Sequence, residues 1–121
     1  MLTKKFTYTL IMACSHVNAL QTEEQYIECL RESHTCPVVL FLCNETVADI
    51  VTILDEITKR RGAAVYTVSG HLLESMKEKH AVRTLPAAVV VVNGTVTHKT
   101  EQLNSIKSID DLIPTDMQEK S

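Results

Sequence analysis

The chain has 121 residues, 45% of them hydrophobic and 22% charged, with 12 basic side chains against 15 acidic ones. That length suits one domain with short tails, large enough to bury most of its apolar surface without staples. A net charge of −3 carries no electrostatic footprint for nucleic acid or an anionic membrane. The longest apolar runs, 37–43 and 87–92, fall far short of the ~20 residues that a bilayer span needs.

The chain opens basic: Lys4 and Lys5 precede a mixed stretch, and no acidic residue occurs before Glu23. Val17-Asn18-Ala19 resembles the small-residue site that signal peptidase prefers, so a secretory or mitochondrial leader is one reading. Thr7, Tyr8 and Thr9 interrupt its apolar core, and cutting after Ala19 would remove most of a first strand expected over 15–20. Residues 1–14 are read as an extension, a targeting or anchoring arm. A domain over 15–114 and a polar tail over 115–121 follow.

Thr22 with Gln25 three positions on writes a capping box, and Glu23 and Glu24 occupy the first turn. Tyr26, Ile27 and Leu30 supply an apolar face with Cys29 beside them. The helix ends near His34, because Pro37 disfavours helical geometry at Cys36. The unbroken run Val38–Leu42 predicts a strand buried on both faces. Thr46 and Asp49 cap a second helix whose apolar stripe is Val47, Ile50, Val51, Ile53, Leu54 and Ile57. Lys59, Arg60 and Arg61 fill its last turn, and Gly62 can adopt the left-handed cap. A third strand over 63–68 turns at Ser69-Gly70 into a helix carrying Leu72, Leu73 and Met76. Ala87–Val92 is the next strand, Asn93-Gly94 is a hairpin turn, and Thr95–Thr100 returns antiparallel with alternating polarity. A last helix over 105–113 packs Ile106, Ile109 and Leu112 before Pro114 ends it.

This β-α-β-α-β-α-β-β-α order implies an α/β fold, with parallel crossovers and a terminal antiparallel hairpin. Its central mixed sheet has about five strands flanked by helices. Two segments place the order more closely: Leu54-Asp55-Glu56-Ile57 after the buried strand, and Arg83-Thr84-Leu85-Pro86 before a valine strand and an Asn-Gly turn. With them the chain resembles thioredoxin over 15–113. The resemblance implies the three-layer thioredoxin-like fold and makes Pro86 the counterpart of the family's cis-proline. Redox-active members carry W-C-x-x-C between the second strand and second helix. That slot falls here on Asn44-Glu45-Thr46-Val47, which has no cysteine, and the chain has no Trp. The family's buried acidic residue in the preceding strand is missing as well.

The four cysteines, Cys14, Cys29, Cys36 and Cys43, form no C-x-x-C pair, so neither a zinc knuckle nor a dithiol redox motif is written. Cys43 ends the buried strand just before a helix N-terminus. There it is either a monothiol nucleophile or, as free cysteines more often are, a small apolar side chain at the sheet edge. Cys29 and Cys36 are close enough in sequence to approach one another, and in a reducing compartment they are two thiols. His16, His34, His71, His80 and His98 are scattered singly, so no metal site is expected. Three glycines are too few for a phosphate loop, and no cofactor is expected. Asn44-Glu45-Thr46 and Asn93-Gly94-Thr95 satisfy the N-glycosylation sequon and are equally accounted for by helix capping and hairpin chemistry.

The expectation is a non-enzymatic, redox-inactive module that binds another protein, as a small structural or accessory subunit of a larger assembly. Its docking surface, by the resemblance, comprises Asn44, Glu45, Thr46, Thr84, Leu85 and Pro86. No nucleic acid, membrane span or small-molecule substrate is expected. An intracellular location follows, whether cytosolic, cytoskeletal or mitochondrial. The alternatives are a monothiol oxidoreductase using Cys43 and a chaperone domain of the secretory pathway.

Overall fold

The computed structural model describes residues 16–44, 48–101 and 109–113. The arm over 1–14, Glu45, Thr46, Val47, Ile106 and the tail over 115–121 lie outside the described residues. Five strands form one sheet: β1 (His16–Ala19), β2 (Val38–Leu42), β3 (Ala64–Val68), β4 (Ala87–Val92) and β5 (Thr95–Thr100). Between them run α1 (Glu23–Glu32), α2 (Ala48–Arg61), a 3₁₀ turn (Gly70–Leu72) leading into α3 (Leu73–Lys79), and the closing α4 (Ile109–Leu112). The sheet order is β1-β3-β2-β4-β5. β1, β3 and β2 are parallel, while β4 runs against β2 and β5 against β4.

Strand parity divides the interior in two. Val38, Leu40 and Leu42 face one side with Ala64, Val68, Val89 and Val91, where α1 and α3 cover them with Cys29, Leu73 and Met76. Val39, Phe41 and Cys43 face the other side with Val65, Ala88 and Val90, under Leu54, Ile57, Ile109 and Ile113 of the α2 and α4 layer. All five residues of β2 are buried, as its lack of alternation requires.

The helix ends follow local chemistry. At α1, Thr22 Oγ1 accepts the Gln25 amide at 3.1 Å, and Gln25 Oε1 returns to the Thr22 amide at 3.1 Å. The face of α1 differs from expectation: Cys29 is buried and Tyr26 and Leu30 are partly buried, but Ile27 is 51% exposed. Spacing of three and four selects 26, 29, 30 and 33, and Ile27 sits roughly 100° away from Tyr26 around the helix. Val51 is likewise off the α2 stripe, 36% exposed, because 50, 53, 54 and 57 already span the buried face. Gly62, at φ +67°, donates its amide to the Thr58 carbonyl and ends α2. β5 also departs from its pattern. Its alternation meets no second layer, and Thr95 through Lys99 are all exposed.

Two tertiary ties hold the α1 side. Glu32 Oε1 accepts from Tyr66 Oη at 2.7 Å, and its Oε2 lies 2.8 Å from His16 Nε2, so one carboxylate joins α1, β3 and edge strand β1. Burial, with the Glu32 charge second, pushes the neighbouring Cys29 thiol up to about 12. The β4–β5 turn has both central residues at positive φ, Asn93 (+53°) and Gly94 (+76°), as a type I′ hairpin requires. Its tip docks on the end of α1, where the Asn93 amide donates to the Ser33 carbonyl and the Gly94 amide to Ser33 Oγ.

Candidate functional site

Parallel strands present their carboxyl ends at one edge of the sheet, and in open α/β sheets that is where ligands dock. Leu42 stands opposite Val68 on one side and Ala87 on the other, so Cys43 and Asn44 emerge beside Leu85 and Pro86. Asn44 is exposed, while Thr84, Leu85 and Pro86 are half-buried, with Leu85 packed against the α1-side core. The Leu85–Pro86 peptide is cis. The structure thus brings Asn44, Thr84, Leu85 and Pro86 to one edge, whereas Glu45 and Thr46 are outside the described residues. Cys43 is 5% exposed, its amide donating to the Val68 carbonyl at 3.1 Å and its thiol lying 4.0 Å from the same oxygen.

The loop that leads to Pro86 starts at the end of α3. The Val82 amide reaches back to the Lys77 carbonyl and the Ala81 amide to Glu78, which is the Schellman pattern. Its left-handed position, normally glycine, is Ala81 at φ +54°. Two side chains at alternate positions of the β5 end then grip this loop. Lys99 Nζ donates to the His80 carbonyl at 3.2 Å and the Ala81 carbonyl at 2.9 Å. Glu101 Oε1 accepts from the Arg83 amide at 2.6 Å, the Thr84 amide at 3.0 Å and Thr84 Oγ1 at 3.4 Å. The Arg83 and Thr84 amides hold the Glu101 carboxyl below its ordinary value. Nearby, the His80 ring stacks edge-on against Tyr26 and lies 3.2 Å from its hydroxyl. Burial, then the charges of Lys79 and Lys99, lower its pKa.

Cys29 and Cys36 lie in the α1-side core and Cys43 in the α2-side core, all three buried. Among the described residues no group of three or more His, Cys, Asp or Glu side chains could hold a metal. No described helix is long and apolar enough to cross a membrane. A shallow polar recess of about 390 Å³, lined by Asn18, Ala19, Gln21, Gln25, Glu28 and Tyr66, opens beside the end of β1. Sequence reasoning did not single out Lys99 or Glu101. The available signal was their spacing of two across the end of β5, Lys99 within the strand and Glu101 just past it.

No family model and no curated protein sequence matches the chain. Solved structures do. A thioredoxin variant from Halobacterium salinarum superposes with a TM-score of 0.67 at 14% identity, over 82% of this chain and 88% of that one. Thioredoxin O2 from Arabidopsis thaliana gives 0.64 at 15% identity, over 83% and 92%. Schistosoma mansoni thioredoxin gives 0.65 at 18% identity, over 82% and 94%. With the five-stranded mixed sheet and its strand order, this likeness establishes that the chain has the thioredoxin-like fold.

Proposed function

We propose that the chain is a redox-inactive thioredoxin-like module that binds another protein through the edge formed by Asn44 and Thr84-Leu85-Pro86. One observation carries the reading. The segment Asn44–Val47, where the resemblance places the redox motif, contains no cysteine, and Cys43 next to it is buried. Dithiol exchange needs an accessible attacking thiolate and a second thiol to resolve the mixed disulfide. A half-buried rim of Thr84, Leu85 and Pro86 beside an exposed Asn44 keeps shape and polar groups for docking. Because a fold alone does not assign function, two experiments test the reading.

In an insulin-reduction or glutathione-exchange assay the protein shows no turnover, and Cys43→Ser changes nothing. Turnover that disappears in Cys43→Ser would instead make the protein a monothiol oxidoreductase. Purified from its source cell, the native protein runs in an assembly with its partner. Asn44→Arg and Thr84→Arg release it, whereas Glu56→Arg on the exposed face of α2 does not. Recovery of free monomer alone would sink the docking reading.

A further inference from the structure

We propose that Lys99 and Glu101 are a two-point clamp that sets the backbone of residues 80–84 and thereby the position of the Thr84–Pro86 rim. The observations are complementary in charge. The ammonium of Lys99 takes the two carbonyls that the loop presents first, and the carboxylate of Glu101 takes the two amides that it presents next. Charge-assisted hydrogen bonds to main-chain groups are stronger and more directional than a contact between two flexible surface side chains. The clamp also acts where the backbone most needs it. Ala81 holds a left-handed conformation that disfavours a Cβ, and Lys99 binds its carbonyl.

β5 is suited to this role. Its partner β4 lies in the core, so the strand end is a fixed point, while its own side chains are exposed and available to the loop. Lys99 and Glu101 are therefore positioning residues, with no contact to a docked chain required of them. The second half of the proposal, that the clamp matters for binding, rests on the docking reading given above.

Amide hydrogen exchange of the full-length protein, followed residue by residue by NMR, tests the first half. In Glu101→Ala the Arg83 and Thr84 amides exchange about tenfold faster or more, while Val89–Val91 amides keep wild-type rates. Glu101→Asp, with a shorter carboxylate, falls between, and Glu56→Ala on the exposed face of α2 leaves the loop unchanged. Unaltered exchange at Arg83 and Thr84 in Glu101→Ala overturns the clamp whatever binding shows. The second half is read with an alkylated insulin B chain as a permanently unfolded probe. Binding to wild type that weakens severalfold in Glu101→Ala and Lys99→Ala supports it. Equal binding by wild type and variants, with the loop loosened, overturns it and leaves the docking reading standing. If wild type fails to bind the probe although the loop loosens on substitution, generic polypeptide docking fails and the clamp stands.

Discussion

Glu101 shows how one oxygen atom can organise a segment far away in sequence. Its three donors belong to residues 17 and 18 positions earlier, and their hydrogen bonds favour the charged form. The sign of the pH dependence follows. A carboxyl whose folded pKa is depressed contributes above its ordinary value of 4.5 and loses that contribution as pH falls through the folded value. His80 acts in a separate window. Its ring is held below the ordinary 6.5, so the native state loses stability as pH drops from that value through the lowered one. An NMR pH series should therefore show two steps. The His80–Tyr26 contact responds first, below 6.5, and protection of the Arg83 and Thr84 amides falls only in the carboxylate range. His80→Gln removes the first step alone. Ala81 carries another residue-scale expectation: Ala81→Gly, which relieves a left-handed Cβ, raises stability by about 1 kcal/mol in urea titration. None of these contacts was legible in the chain's order of residues. The Glu101 contacts need a loop and a strand end to meet in space, the His80–Tyr26 contact needs α1 to meet the end of α3, and neither carries a motif.

Elements with local causes are legible in the sequence. The capping box at Thr22 is present with both reciprocal hydrogen bonds, and Thr22→Ala is expected to cost about 1 kcal/mol, measured by chemical denaturation. Val38–Leu42 is a central strand because five apolar residues in a row leave no face for water. Asn93-Gly94 makes its turn because both positions need positive φ. Expectation and structure part where a hydrophobic side chain sits beside a buried stripe rather than within it. Ile27 and Val51 lie at the margins of stripes that their neighbours already fill, and helix period rather than residue type decides the outcome. In β5 the alternation of threonines with Val96, His98 and Lys99 predicts a half-covered strand. The strand is instead at the sheet edge, exposed, with a register irregularity opposite Val90 and Val91. A bulge and a lysine are two of the devices that keep such an edge from pairing with another chain.

At the scale of the whole molecule, alternation of strands and helices gives an α/β sandwich but leaves the strand order open. The structure supplies it as β1-β3-β2-β4-β5, with the buried strand β2 at the centre. The same sheet separates what the sequence could say about the site from what it could not. Apolar runs mark the strand ends and the resemblance sets Asn44 and Pro86 side by side, while the grip of Lys99 and Glu101 on the loop needs three dimensions. In a strand with a wet face, sliding by one residue would drive polar groups inward, and hydrophobicity alone would forbid it. β2 has no wet face, so polarity is silent about its alignment. Bulk must choose instead: Phe41 lies in the buried cluster that holds Leu54 and Ile57, and Leu40 in the one that holds Cys29 and Met76. Swapping the two, Leu40→Phe with Phe41→Leu, keeps composition and hydrophobicity constant. It is nonetheless expected to cost about 1–3 kcal/mol, read as a lowered denaturation midpoint, because each half-interior then receives a side chain cut to the other's shape.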